Sequence, residues 1–203
     1  MQALLALIVA LGLQIAVNYS NDYSDGIRGT DDVRVGPIRL TASGLASAKA
    51  VKRAAFLSFG VACVAGLLLA SISSWWILIV GAISVLAAWG YTGGHTPYGY
   101  RGFGELSVFT FFGVVATVGT YYVQTLEFST AAFAASVSMG SLSCALLVIN
   151  NIRDRAQDAQ VGKKTLAVRL GDENARKFFI ALLVLPYIFA PLTGNPLAFL
   201  TLA

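Results

Sequence analysis

Asn18-Tyr19-Ser20-Asn21-Asp22-Tyr23-Ser24-Asp25-Gly26-Ile27-Arg28 closes an apolar run that occupies residues 1–17, and Gly29-Thr30-Asp31-Asp32 follows it. About 130 residues later the pattern returns as Asn150-Asn151-Ile152-Arg153-Asp154-Arg155-Ala156-Gln157-Asp158, again at the end of an apolar run, with Gly162-Lys163-Lys164-Thr165 beyond it. Ionisable groups at membrane depth are costly and usually functional. The 203-residue chain around these clusters is 57% hydrophobic and only 12% charged, with a mean hydropathy of +0.72. Soluble domains carry about 25% charged residues, so the composition describes one membrane domain, residues 1–203, with no room for a separate soluble one.

Working outward, apolar segments fall near 1–18, 54–72, 75–91, 105–123, 130–150 and 177–193, and a seventh begins near 196. A spanning helix needs about 20 residues. The expected fold is therefore all-α: a multi-pass transmembrane bundle of about six complete helices and part of a seventh. Only Ser73-Ser74 separates the second and third segments, which predicts a tight helical hairpin. Pro186 and Pro191 predict a kinked sixth helix. Residues 1–17 superficially resemble a signal peptide, but they lack a basic start and a small-residue cleavage site, so they read as a membrane helix. The chain itself reads as part of a longer bundle, since it starts within a helix and stops at Ala203 inside another apolar segment.

All Lys and Arg residues lie in three connections. Arg28, Arg34, Arg39, Lys49, Lys52 and Arg53 belong to 19–53, and Arg101 to 92–104. Arg153, Arg155, Lys163, Lys164, Arg169, Arg176 and Lys177 belong to 151–176 and the helix start after it. The alternate connections, 73–74, 124–129 and 194–196, carry none. The positive-inside rule makes the basic side cytoplasmic. The net charge of +4 thus reports topology and an anionic substrate, not nucleic acid. Cys63 and Cys144 sit in separate apolar segments as small packing residues and give no disulfide or zinc framework. His95 is the single histidine, which excludes a His-based metal site and leaves it as a loop residue.

Residues three or four apart share a helix face. Asn18, Asn21, Asp22 and Asp25 are linked by such steps, and so are Asn150, Asn151, Asp154 and Asp158. A helix cap or a solvated loop face would account for either cluster alone. The shared Asn and Asp grammar of the pair argues instead for oxygen ligands around Mg²⁺, which is usually held by a few carboxylates together with substrate phosphates. Arg28, Lys163, Lys164 and Arg169 are then the diphosphate-binding residues. A weak internal repeat runs alongside: Asn21-Asp22-x-x-Asp25 against Asn151-x-x-Asp154, and Arg34-Val35-Gly36-Pro37 against Gln160-Val161-Gly162-Lys163. The middle connection, Tyr91-Thr92-Gly93-Gly94-His95-Thr96-Pro97-Tyr98-Gly99-Tyr100-Arg101-Gly102-Phe103-Gly104, has aromatics able to wall a flat acceptor. An interfacial aromatic belt is the alternative reading of Tyr98 and Tyr100.

At these motifs the chain resembles the UbiA family of intramembrane aromatic prenyltransferases. Asn21-Asp22-Tyr23-Ser24-Asp25 matches its Asn-Asp-x-x-Asp motif, and Asp154-Arg155-Ala156-Gln157-Asp158 matches its Asp-x-x-x-Asp motif. The Gly29-Thr30-Asp31 step, Arg34-Val35-Gly36-Pro37, Tyr98-Gly99-Tyr100 and Gly162-Lys163-Lys164-Thr165-Leu166-Ala167-Val168-Arg169-Leu170-Gly171 are similar to the menaquinone-pathway branch. The resemblance implies Mg²⁺-dependent transfer of a polyprenyl group from polyprenyl diphosphate to 1,4-dihydroxy-2-naphthoate, in the cell membrane with the active-site loops cytoplasmic. It implies Asp22, Asp25, Asp154 and Asp158 as catalytic and metal residues, joined by Asn21 and Asn151, and Tyr91, Tyr98 and Arg101 toward the acceptor. Where the ubiquinone-type motif has a further Asp, this chain has Gly29, and Asp31 is the substitute. Family members have nine membrane helices, so the first and the last two are expected outside this chain. A benzoate-accepting transferase of the same family, or a cation-coupled transporter outside it, are the alternatives.

Overall fold

The computed structural model of the protein describes residues 1–30 and 36–194. The described residues form six helices: α1 (Gln2–Arg28), α2 (Ala48–Ile72), α3 (Ile77–Gly90), α4 (Gly104–Thr125), α5 (Thr130–Gln160) and α6 (Leu166–Phe189). A short 3₁₀ turn, Ala190–Thr193, follows α6. Among the described residues all regular structure is helical. Within a bilayer each backbone N–H and C=O must be satisfied inside its own segment, and a helix does that. Among the described residues five helices are long and apolar enough to cross a membrane; α3 is a shorter apolar helix. Its 14 residues span only about 21 Å at 1.5 Å per residue, less than the hydrocarbon core.

The chain is thus an all-α, multi-pass integral membrane protein. The seventh segment, from about 196, lies outside the described residues, as do Asp31, Asp32, Arg34 and Val35. The helices overrun their apolar segments at one end of the bundle. α1 continues ten residues past the apolar run to Arg28, and α5 continues to Gln160. α2 begins at Ala48 and α6 at Leu166, well before the apolar runs near 54 and 177. Hydropathy marks the membrane core and misses turns that stand beyond it, which are amphipathic and held by caps and neighbours. The Ser47 hydroxyl accepts from Ala50 N at 3.3 Å to start α2, and Ser129 accepts from Ala131 N at 3.2 Å to start α5. Gly29, at φ 70°, ends α1 in the left-handed conformation that glycine tolerates.

Three expectations are revised. The hairpin turn runs through Ser73–Trp76, not Ser73-Ser74 alone, because Trp76 caps α3 from outside. The break in α6 falls at Gly171, with φ 76° and ψ 172°, while Pro186 stays inside the helix. Pro191 lies in the 3₁₀ turn. A residue without Cβ adopts that backbone conformation without strain, and the proline pattern concealed it. Cys63 is exposed on the bundle surface and only Cys144 is buried.

Small residues let the helices approach closely, as membrane packing favours. A Cβ on Gly12 of α1 would stand 3.0 Å from the Ala62 Cβ of α2, and one on Gly113 of α4 would stand 2.6 Å from the Gly140 Cα of α5. α4 widens to a π-helix over Phe109–Val115 at that crossing. Cys144, Ala145, Val148 and Leu182 form the buried core between α5 and α6, with Val108 and Phe109 of α4 against it.

Candidate active site

The three basic connections meet at one end of the bundle. Asp22 and Asp25 sit on the last two turns of α1, both about 5% exposed. The Lys163 ammonium, from the connection after α5, lies 3.5 Å from Asp25 Oδ2 and 4.7 Å above the Tyr100 ring. The Tyr100 hydroxyl donates to Asp25 Oδ1. The Lys164 N–H donates to the Tyr100 carbonyl at 2.8 Å, so the middle and third connections are joined through backbone as well. Asp158, buried near the end of α5, is within electrostatic reach of Lys163, Asp154 and Asp25. Asp25, Asp158 and Lys163 therefore come together, one from each motif and one from the basic stretch between α5 and α6.

The two motif asparagines are fixed by the two ends of the middle connection. Thr92, buried, donates through its hydroxyl to Asn21 Oδ1 at 2.8 Å. Asn151 Nδ2 donates to Glu105 Oε1 at 3.0 Å. Glu105 accepts there with one oxygen while its Oε2 is buried without a partner. A carboxylate can only accept, so it takes the Asn151 amide N–H and leaves the Asn151 carbonyl oxygen available as an acceptor. Asn18 and Asn150 are exposed and donate back to Gln14 O and Leu146 O of their own helices, so neither joins the site.

The remaining sequence-derived residues divide by what they touch. Both oxygens of Asp22 accept backbone amides, Leu40 N at 2.8 Å and Thr41 N at 2.9 Å, which anchors the loop after α1. Asp154 is clasped by its neighbour Arg153 through two contacts of 2.7 Å. Arg28 donates to Ser24 O at 3.2 Å, to Thr92 O at 2.5 Å and to Gly94 O, and stacks over the Tyr100 ring at 5.7 Å. It is a strut between α1 and the glycine-rich connection. The Lys164 side chain is exposed, and Arg169 folds back to the Lys164 carbonyl at 3.2 Å over Gly102. Arg101 and His95 are exposed.

The aromatics are internal supports as much as walls. Tyr91 and Tyr98 meet edge to face at 5.5 Å, and the Tyr98 hydroxyl donates to Ala87 O at 2.8 Å. Burial pushes the Tyr91 phenol above its ordinary range, reinforced by the nearby charges of Glu105, Tyr98, Asp25 and Asp158. Burial first, then the Asp25 charge, does the same for Tyr100. Sequence reasoning took Tyr100 only as an aromatic wall and did not single out Thr92 or Glu105. One signal was there: Glu105 is the first acid after Asp32, at the mouth of an apolar helix.

The donor set fits a hard cation of the Mg²⁺ type. Among the described residues no group of three or more His, Cys, Asp and Glu side chains is gathered tightly enough to cage a metal ion alone. Mg²⁺ does not require such a cage, since it binds through one or two carboxylates, waters and substrate phosphates. Asp25 and Asp158 offer carboxylates of that kind, and Asp25 is paired with the Lys163 ammonium.

The model of the UbiA prenyltransferase family matches residues 1–203. The chain is 51% identical over 209 residues to a 1,4-dihydroxy-2-naphthoate octaprenyltransferase of Mycobacterium tuberculosis, covering 97% of this chain and 72% of that protein. A Mycobacterium leprae protein with the same name is 54% identical, covering 90% of this chain and 62% of its own length. An Escherichia coli protein of that name is 40% identical, with 90% and 61% covered. The chain thus spans about three-fifths to three-quarters of the length of these relatives. No solved structure matches it.

Proposed function

The chain belongs to the UbiA prenyltransferase family, and on that premise we propose that it carries the site that transfers a polyprenyl group from polyprenyl diphosphate to 1,4-dihydroxy-2-naphthoate. Diphosphate and CO₂ leave, and the prenylated ring forms at the hydroquinone level, as demethylmenaquinol. The observation that carries this reading is the convergence of Asp25, Asp158 and Lys163 from opposite ends of the chain. The names of the relatives supply the acceptor, and they favour the naphthoate over a benzoate.

Asp25, Asp154 and Asp158, with the Asn151 carbonyl oxygen, would hold Mg²⁺. When bound, the ion offsets charge developing on the departing diphosphate. Lys163, Lys164 and Arg169 supply positive charge to the same oxygens. The allylic C–O bond breaks with its electron pair going to the diphosphate. The electron-rich naphthoate ring attacks the resulting cation, and the new C–C bond is followed by loss of CO₂. Water would trap the cation, so the pocket must be dry. Arg28 and Asp22 serve that need by drawing the first two connections over the end of α1. Tyr91, Tyr98 and Arg101 belong to the acceptor side, and the isoprenoid tail lies among the apolar helices. The three connections face the cytoplasm of the cell membrane.

The test is turnover of the full-length protein with labelled polyprenyl diphosphate, with the naphthoate and 4-hydroxybenzoate in competition and with Mg²⁺ present or chelated. Mg²⁺-dependent prenylation of the naphthoate is expected. Equal use of both acceptors would move the assignment to the benzoate branch, and no diphosphate release would remove the enzymatic reading.

A further inference from the structure

At the basic end of α2 a groove of about 480 Å³ opens beside the bundle, lined by Lys49, Lys52, Arg53, Phe56 and Leu57. These positions are i, i+3, i+4, i+7 and i+8, one continuous helical face. Three cations occupy its first turns and two apolar side chains continue it toward the membrane core. Phe56 is 54% and Leu57 72% exposed. We propose that this groove binds the phosphate of an anionic phospholipid, with the cations on the headgroup and Phe56 and Leu57 along the first carbons of an acyl chain.

Charge complementarity carries the choice of occupant. Between Asp32 and Glu105 the chain has no acid, and among the described residues no carboxylate pairs with Lys49, Lys52 or Arg53. Among the described residues the groove is therefore positive charge without a carboxylate partner, set at the end of a membrane-spanning helix, where lipid phosphates lie. Its floor is built. Tyr23 and Trp89 stack at 6.4 Å and Phe56 meets Trp89 at 5.1 Å. The Lys52 ammonium rests over both platform rings, 5.2 Å from Tyr23 and 6.0 Å from Trp89.

The groove is separate from the diphosphate site. At about 100° per residue, Tyr23 lies about 160° around α1 from Asp25. The platform thus faces the opposite side of α1 from the Asp25, Lys163 and Tyr100 cluster. The polar end is small and cationic while the remainder is apolar and open, which suits a membrane lipid and not a free anion.

Trp89 is the natural reporter. The full-length protein would be reconstituted in phosphatidylcholine bilayers doped with brominated phosphatidylglycerol or brominated phosphatidylcholine. The Trp89 contribution is the difference from a Trp89→Phe variant. Half-quenching is expected at a mole fraction of the anionic lipid roughly fivefold below that of the neutral one. The combined variant Lys49→Gln, Lys52→Gln and Arg53→Gln should abolish the preference. Lys49→Glu alone, on an exposed side chain, should reduce it if the triple variant fails to fold. Millimolar inorganic pyrophosphate should leave the quenching unchanged. Equal quenching by the two lipids, a preference surviving in the neutral variants, or displacement by pyrophosphate would each overturn the proposal.

Discussion

Lys163 and Asp25 are 138 residues apart in sequence and 3.5 Å apart in space, with 12% and 7% of their side-chain surface exposed. The pair ties the connection after α5 to the end of α1, and the Tyr100 ring beneath the ammonium brings in the middle connection. One ammonium thereby holds all three basic segments. Lys163→Met removes a charged donor that diphosphate oxygens need. The apparent KM for polyprenyl diphosphate should rise by about tenfold or more, a loss of at least about 1.4 kcal/mol. Steady-state kinetics on the full-length protein check it, and an unchanged KM would assign Lys163 a structural role only.

Asp22 is held differently from Asp25. Its two oxygens accept from Leu40 N and Thr41 N, and an asparagine could accept only one of them. Asp22→Asn should leave one half-buried amide unpaired, at up to about 1–3 kcal/mol. Hydrogen exchange should then quicken at Leu40 and Thr41 while the membrane-spanning amides of α1 keep their protection. Unaltered exchange at both amides would contradict the anchor.

The crossing of α4 and α5 depends on two glycines. A Cβ at Gly113 would meet the Gly140 Cα at 2.6 Å and the Ser136 carbonyl at 2.8 Å. Gly113→Val should overpack this crossing and cost about 1–3 kcal/mol, seen as a lower Tm in detergent. Gly119→Ala is the control, because nothing lies within 4 Å of a Cβ there, and its Tm should stay unchanged or rise.

The buried phenols give stability a defined pH dependence. Tyr91 and Tyr100 hold their protons in the folded protein above the ordinary value of 10.0. Above about pH 10 the unfolded chain releases those protons first, so it binds fewer than the folded state, and stability falls as pH rises. Their contribution is complete below that pH and is lost above it. Thermal unfolding from pH 8 to 11 should show a steep decline above pH 10 that flattens in Tyr91→Phe and Tyr100→Phe. Parallel declines in wild type and variants would remove the phenols as the cause.

Much of this arrangement was legible in the residues. Apolar length and the placement of Lys and Arg gave the helices and one shared basic end, because the bilayer penalises charge within its core. The repeated Asn and Asp spacing drew out Asn21, Asp25, Asn151 and Asp158, which the structure places at that shared end. Spacing could not tell Asp22 from Asp25, since both lie on the same stretch of helix and their roles depend on which loop folds back onto them. Tyr100 was hidden among neighbouring tyrosines, and only the tertiary approach of Lys163 and Asp25 distinguishes it from Tyr98. The Gly171 break was equally silent, because a glycine inside an apolar pattern announces no particular φ.

The central claim is that Asp25 and Asp158 form one site for a diphosphate-bearing substrate. The most direct measurement is the rate of prenyl transfer to 1,4-dihydroxy-2-naphthoate by full-length Asp25→Asn and Asp158→Asn proteins in Mg²⁺, alongside their thermal unfolding. Removing a group that stabilises the departing diphosphate should lower kcat by about 10²–10³-fold in each. The double variant should lose little more than either single one, as residues acting as a unit do. Turnover near wild type in either variant, with the protein folded and inserted, would contradict the account.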